Sequence, residues 1–523
     1  MNMAGMLLGK DRQTICAIAL LVLGCSSVGA VSTFDVIGVT ALRSQDPSLN
    51  GTGVIMNHPE GSETGDTQFE VNPSTVGQPT SLFTWIGNNG ATSTTYPNSL
   101  GTGSAHATGV ATRLYSVNEG VVPNVSHVYN YLAWAFYSNM VVTGVAITGK
   151  IVNQSFATYG TPPDSIVASA YDNYVARYGT IFCSATGTGQ AVREPAGAYN
   201  TIGVGVSDAE SSVGGTPDGR AKPDLSAPGL ATSFSTAYVT AAATILFQAA
   251  QRGDAGTNIS AASDVRTIKA LLMNGAIKPT NWTHTSTMPV DATHGTGAGV
   301  LNVFNSYRQM TSGQHRAIEV TSVTSGAAHP PGSNVGNEPA LSGWDLATTT
   351  TSATQDTVAH YYFDLPSNNR AYVLTSTLAW NRALNTTSIN NLDVFLFRIS
   401  DGSQNATSVS TVDNVEHIYL SGLAPGRYDL QVHKHGGAGA VSNSETYALA
   451  FEVFALPLNF SHQGSAVVVT WPVYPSGFSL ETTAGLSAPV SWSPVSAVPI
   501  ISNGFYRVSF TSSNPSAFYR LRR

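Results

Sequence analysis

Three short runs in this chain hold side chains that could together break a carbonyl bond. Ser233 lies in KPDLSAPGLATSFSTAYV, residues 222–239, directly before the alanine-rich stretch 240–251. A helix N-terminus presents unpaired N–H groups and the positive end of its dipole. Both favour an alkoxide-like nucleophile and the oxyanion it creates. Taken alone, such a serine is more often a helix cap. His106, in GTGSAHATGVAT at 101–112, opens a second small-residue helix. Glu60 closes an apolar, strand-like run in NGTGVIMNHPEG at 50–61. An acid, a histidine and a serine can form a nucleophilic triad: serine attacks, histidine takes and returns the proton, and the carboxylate orients the imidazole. Glu63 and Asp66 are rival acids close by in sequence.

Read together, these runs resemble the subtilisin-like serine proteases, the subtilases. Their "GxGVxVAVID", "HGTHVA" and "GTSMAxP" motifs are similar to GVIMNHPE at 53–60, HATGVA at 106–111 and ATSFSTA at 231–237. The acid–histidine–serine order is that of subtilisin. Intervening runs agree: KIVNQSF at 150–156, YGTIFCSATGT at 178–188, PAGAYNTIGVGV at 195–206 and DGRAKPDLSAPG at 218–229. The resemblance spans residues 35 to 310. It implies Glu60, His106 and Ser233 as catalytic residues, with Thr188 at the place of the oxyanion asparagine. The chain departs from the family pattern at several of these places: Glu60 stands for aspartate, Thr188 for asparagine, Ala231 for glycine and Ala237 for proline. Removing one oxyanion donor typically costs about 100- to 1000-fold in turnover.

The elements that must position these residues are legible in outline. Segments 141–147 and 151–156 are apolar strand candidates. Segment 165–178 repeats apolar residues at four-residue spacing and reads as a helix stopped by Gly179. Strands follow at 180–185 and 201–206, with a further helix expected over 263–275, and the segment 297–310 resembles the last subtilase segment. Alternating strands and helices predict an α/β fold, a parallel sheet flanked by helices. Sites in such sheets gather at the carboxyl ends of the strands, where Glu60 and Thr188 fall.

After residue 315 the texture becomes β-rich. HYYFD from 360, AYVLTSTLAW from 371, LDVFLFR from 392 and RYDLQVH from 427 are separated by turn residues and predict an antiparallel β-sandwich. This part resembles the β domains that follow many secreted peptidase domains. The organisation expected is a signal peptide over 1–30, a subtilisin-like peptidase domain over 31–315, a β-sandwich over 316–457 and a small β-rich module over 458–523. Asp393, Asp413 and Glu416 raise the question of structural calcium, but turn carboxylates in solvent are the plainer reading.

Only 11% of residues are charged and glycine numbers 50, which suits an exported, turn-rich protein and not a coiled coil or disordered chain. The net charge of -7 comes without any basic block, which argues against nucleic-acid binding. Residues 10–30 show a charged start, a short apolar run and small residues up to Ala30, the pattern of a secretory signal peptide. VLGC at 22–25 offers a lipoprotein alternative through Cys25. Cleavage after Ala30 leaves Cys183 as the single cysteine, a buried thiol in an apolar strand. His284 and His294 read as surface residues.

The function these features predict is a secreted or cell-surface serine endopeptidase. It would cleave protein or peptide substrates through an acyl-enzyme and need no cofactor. The C-terminal β domains would make cell-surface or matrix contact. The second reading is a weak or inactive subtilase fold that binds a surface or glycan. A lipase-type hydrolase is disfavoured, because the G-x-S-x-G elbow is absent around Ser233.

Overall fold

The computed structural model describes residues 32–61, 67–158, 164–189, 191–332, 336, 340–367, 372–455, 458–463, 466–472, 477–487, 489–502, 505–511 and 517–522. The expected signal peptide and the rival acids Glu63 and Asp66 lie outside the described residues. Helices α1 (Thr33–Val36) and α2 (Val39–Gln45) lead into β1 (Ile55–Glu60). Next come β2 (Gln68–Glu70), β3 (Phe83–Ile86), β4 (Thr92–Ser93), β5 (Thr102–Gly103) and α3 (Ala105–Tyr115). Then follow β6 (His127–Leu132), α4 (Ala133–Phe136), β7 (Ile151–Gln154), α5 (Asp164–Tyr178), β8 (Ile181–Ala185), β9 (Ile202–Val206) and β10 (Leu225–Ala227). Helices α6 (Thr232–Arg252), α7 (Ile259–Ala262), α8 (Val265–Asn274) and α9 (Val303–Thr311) complete this part.

Among the described residues, eight of these strands form one sheet in the order β10-β9-β8-β7-β1-β6-β3-β4. It is parallel except where β3 meets β4. The α/β class expected from the alternating pattern is therefore present. β7, β8 and β9 are buried at every position, as strands covered on both faces must be. β1 sits between β6 and β7, so Glu60 ends a central strand, level with Leu132 of β6. Helix α5 ends where Gly179 takes the left-handed conformation, φ 61°, as its sequence position predicts.

One strand expectation fails. Residues 141–147 form no strand: 137–142 wind into a π-helical turn, and Gly144, at φ 65°, redirects the chain. The Tyr174 hydroxyl donates to the Val145 carbonyl at 2.8 Å and accepts from the Ile147 amide at 3.0 Å. Those backbone groups are satisfied by α5 rather than by a neighbouring strand. The strand the sheet uses instead is β6, whose mixed aromatic and polar run, HVYNYL, hides its apolar periodicity.

The C-terminal part begins with β11 (Glu319–Thr324), β12 (Ser342–Thr350), β13 (Gln355–Leu365), β14 (Tyr372–Trp380) and β15 (Leu392–Arg398). It continues through β16 (Gln404–Ser408), β17 (Val415–Leu423), β18 (Gly426–Lys434) and β19 (Ser444–Phe454). Two antiparallel sheets, β11-β13-β18-β15-β16 and β12-β19-β14-β17, enclose a core that includes Tyr361, Leu378, Trp380, Leu430 and Phe451. Beyond them lie β20 (Asn459–Gln463), β21 (Ala466–Pro472), β22 (Ser479–Thr483), β23 (Ser493–Pro494), β24 (Ile500–Ser502), β25 (Phe505–Thr511) and β26 (Phe518–Arg522). These make two small sheets around Val469, Trp471, Leu480 and Val508.

The sandwich is joined to the α/β part by buried polar contacts. Asn274, at the end of α8, accepts from the hydroxyls of Thr375 (2.9 Å) and Thr377 (3.1 Å). Arg382 pairs with buried Asp172 at 2.8 Å, and Asp413 accepts from the Ala221 amide at 2.8 Å. Asp393, Asp413 and Glu416 are therefore not solvated turn carboxylates; all three are buried. Glu416 accepts from the Ser410 amide at 2.7 Å and meets the Ser408 hydroxyl. Burial, reinforced by Asp393 and Asp413, pushes its carboxyl well above the usual range.

Candidate active site

The three residues singled out for chemistry come from separate elements, and two of them, Glu60 and His106, meet at the carboxyl end of β1. Ser104 caps α3 by accepting from the Ala107 amide at 2.9 Å, which sets His106 in the first turn. The His106 Nδ1 lies 3.0 Å from Glu60 Oε1. Glu60 is 1% exposed, whereas the His106 side chain is 32% exposed, so the acid is sealed and the imidazole keeps an open edge. The Gly61 amide also donates to Glu60 Oε1, at 3.0 Å. Burial pushes the Glu60 carboxyl up, but the bond from His106 and the nearby His58 imidazole outweigh it, and its pKa lies below the ordinary value. An ionised Glu60 fixes the proton of His106 on Nδ1 and leaves Nε2 as the basic nitrogen.

His58 is a site residue that the sequence reading passed over. Its Nε2 lies 3.5 Å from Glu60 Oε2, its Nδ1 is 2.8 Å from the Tyr115 hydroxyl, and it is fully buried. The spacing was the available signal: residues two apart on a strand share a face, so His58 and Glu60 of β1 point the same way.

Ser233 is the second residue of α6. The cap residue, Ala231, offers no side-chain acceptor. Unpaired N–H groups of a first turn are suited to a developing oxyanion. The Ser233 hydroxyl donates to the Ser155 carbonyl at 3.0 Å, and the Ser155 hydroxyl donates to the Ser233 carbonyl at 2.8 Å. Asn153 donates to Ser155 Oγ at 3.0 Å and accepts from Thr240 of α6 at 2.9 Å. This ladder fixes the start of α6 to the end of β7, and Ser155 is its second residue missed in the sequence. A hydroxyl has one proton, so Ser233 must turn from Ser155 before it can hand that proton to His106. Phe234 marks the neighbourhood: its ring centroid is 6.1 Å from that of His106, and the Arg113 guanidinium sits 3.9 Å over its face.

Thr188 follows β8 and is exposed. Cys183 in β8 is buried, and burial pushes its thiol up to about 12, which makes it an inert core residue. Of the two histidines read as surface residues, His294 is exposed and bonded to Asp291 at 2.9 Å. His284 is only half-exposed; it stacks on Trp282 with centroids 4.4 Å apart. Beneath the loop preceding Ser233, buried Asp224 accepts from Lys222 (2.6 Å), Lys269 (3.0 Å) and the Gly203 amide (2.7 Å). Burial draws the Lys269 ammonium down to about 8 against the pull of Asp224.

Beside Glu60 opens a cavity of about 570 Å3 lined by Gly61, Leu132, Trp134, Tyr137, Phe156 and Tyr171 among others. It lies at the ends of β1, β6 and β7, and its lining among the described residues carries no charged side chain.

No family model matches this chain, and no curated protein matches it. Among solved structures it is similar to Tripeptidyl Peptidase 2 (TPP II), at 11% identity and a TM-score of 0.33, over 82% of this chain and 52% of that one. The chain thus spans about half the length of that structure. It is also similar to TmCBM61 in complex with beta-1,4-galactotriose, at 8% identity and a TM-score of 0.17, over 27% of this chain and 90% of the other. A third likeness is to the enzymatically active domain of Bacteriophage CBA120 tailspike protein 4, at 11% identity and a TM-score of 0.15, over 27% of this chain and 19% of that one. Likenesses of this size concern the course of the backbone and say nothing of chemistry.

Proposed function

We propose that this chain is an exported serine endopeptidase with Ser233 as nucleophile, His106 as general base and acid, and Glu60 as the group that orients His106. The observation that carries the reading is the 3.0 Å contact between buried Glu60 and half-open His106, set beside the first turn of α6 that holds Ser233. On substrate binding Ser233 leaves the Ser155 carbonyl, gives its proton to His106 Nε2 and attacks the scissile carbonyl. The charge that develops on the carbonyl oxygen falls to the Ser233 backbone N–H and to Thr188. The imidazolium, stabilised by Glu60, then protonates the leaving amine, and water hydrolyses the acyl-enzyme by the reverse route. The cavity next to Gly61, lined among the described residues by Leu132, Trp134, Tyr137 and Phe156, takes an apolar substrate side chain. Export rests on the N-terminal sequence pattern. No helix among the described residues is long and apolar enough to cross a membrane.

One observation favours the second reading, a binding protein on an inactive fold: the Ser233 hydroxyl is engaged by Ser155, with threonine at the oxyanion position. Labelling with a fluorophosphonate probe separates the two. Labelling of the parent but not of Ser233→Ala supports the peptidase. Labelling of neither, with both proteins folded, supports the binding protein.

A further inference from the structure

The sandwich sheet β11-β13-β18-β15-β16 has an apolar face and a face crowded with imidazoles and carboxylates. On β18 and its end, His433 and His435 stand two residues apart and so share a side. Asp393 of β15 pairs directly with His433 across the ladder. Asp356 of β13 lies beside both histidines: its Oδ2 is 3.3 Å from His433 Nε2 and 3.7 Å from His435 Nδ1.

These three atoms lie close enough together for one metal ion to be held between them. A tetrahedral ion with ligand bonds of about 2.0–2.1 Å holds its ligand atoms about 3.3–3.4 Å apart. Asp356, His433 and His435 each offer an atom to a group spanning no more than 4.8 Å. His435 also has the outer partner that metal-bound imidazoles usually possess. Its Nε2 faces Asp393 Oδ2 at 2.7 Å, which places the proton on Nε2 and aims the lone pair of Nδ1 at Asp356. Asp356 is anchored on its other edge: Oδ1 accepts from Ser325 Oγ (2.8 Å) and the Gly436 amide (2.7 Å), and Oδ2 accepts from the Gly326 amide (3.1 Å).

A second observation points into the same space. His433 is only 2% exposed, yet neither of its ring nitrogens has a hydrogen-bond partner among the described residues. The 3.3 Å approach to Asp356 lacks hydrogen-bond geometry, so a buried polar ring is aimed at a carboxylate without being bonded to it. Leaving such a group unsatisfied costs about 1–3 kcal/mol.

We infer that Asp356, His433 and His435 form a binding site for a divalent cation of the zinc class. Two imidazoles and one carboxylate select zinc or a similar transition ion over calcium, which prefers six to eight oxygens. The partly exposed side of His435 leaves the fourth position to water. The bound ion joins β13, the end of β18 and the Ser325–Gly326 turn, and through Asp393 it reaches β15. It is distinct from the peptidase reading, since none of its residues belongs to the Glu60, His106 and Ser233 cluster.

The test uses the untagged full chain, stripped with a chelator and titrated with zinc by calorimetry, with calcium as the control. The expected result is one equivalent of zinc bound and a raised Tm, with no effect of calcium. Cobalt in place of zinc should give the visible absorption of a tetrahedral site. His433→Gln and His435→Gln should each weaken zinc binding by at least about 100-fold, and Asp393→Asn by about 10- to 100-fold. His435→Gln, at a partly exposed position, keeps the test readable if His433→Gln does not fold. Absence of stoichiometric zinc binding by the folded parent would overturn the assignment, and so would unchanged binding in the folded histidine variants. Ser233→Ala should bind zinc like the parent, so failure of the peptidase reading leaves this result intact.

Discussion

Glu60 and His106, 46 residues apart in the chain, are joined by a 3.0 Å contact in which the acid is sealed from water and the imidazole is not. The pairing brings the end of a central strand to the first turn of a helix, and it determines which nitrogen of His106 is basic. Glu60 stands where the proteases that the sequence resembles carry a shorter acid. The Gly61 amide holds one oxygen of its longer side chain, and the His58 imidazole lies 3.5 Å from the other.

Glu60→Gln should fold as the parent does and lose about ten-thousand-fold in kcat, because an amide can stabilise the wrong tautomer of His106. Ser233→Ala should lose about a million-fold. Steady-state hydrolysis of an apolar peptide substrate, with circular dichroism as the folding control, measures both. A kcat for Glu60→Gln within tenfold of the parent would remove Glu60 from the mechanism.

His58→Leu should move the acid limb of the activity profile to higher pH. The sign follows from the electrostatics: burial raises the Glu60 pKa, and the imidazoles of His106 and His58 lower it below the ordinary value. Deleting one of the two lowering partners lets the carboxyl rise, so protonation breaks the pair to His106 at a higher pH. A profile of kcat/KM over pH 4–8, taken relative to the parent, reads this; an unmoved acid limb would confine His58 to packing.

Thr188→Asn tests the oxyanion site. Thr188 is exposed at the end of β8, so a longer side chain can be accommodated. An amide that reaches the oxyanion should raise kcat by as much as about 100-fold, within the range for one such donor. The rate of fluorophosphonate labelling should rise in parallel, whereas a fall in both would show that Thr188 is not the position from which this site donates.

Glu416→Gln should stabilise the protein at alkaline pH. Burial raises the Glu416 carboxyl well above its unfolded value. Above the unfolded pKa of about 4.3, the folded state keeps a proton that the unfolded state has released, so stability is fully present at acid pH and falls as pH rises. The loss is up to about 1.4 kcal/mol per pH unit until the folded pKa is reached. Glutamine mimics the protonated acid and retains bonds to Ser408 and Ser410. The Tm of the variant should therefore change less between pH 5 and 9 than that of the parent.

Asn274→Ala should cost about 2–3 kcal/mol, since it leaves the buried hydroxyls of Thr375 and Thr377 without their shared acceptor. Urea denaturation measures it. A change below about 0.5 kcal/mol would mean that α8 and the sandwich do not depend on this contact.

Local sequence determined much of this protein. Apolar periodicity and glycine stops placed α5, α6, α8, β8 and β9 nearly where they are, because those segments bury one stripe or both faces whatever surrounds them. Motif order singled out Glu60, His106 and Ser233, and the first two meet as expected. Tertiary structure decided the rest. Segment 141–147 is apolar enough for a strand, but Tyr174 satisfies its backbone groups from another element. Asp393, Asp413 and Glu416 read as solvated turn carboxylates, yet all three are buried: Asp413 against the Ala221 amide of the α/β part, Asp393 beside His435 and Glu416 against Ser410. Ser155 beneath Ser233, and Asp356 beside His433 and His435, are invisible as local patterns. Each depends on distances between elements far apart in the chain, which only the packed sheets set.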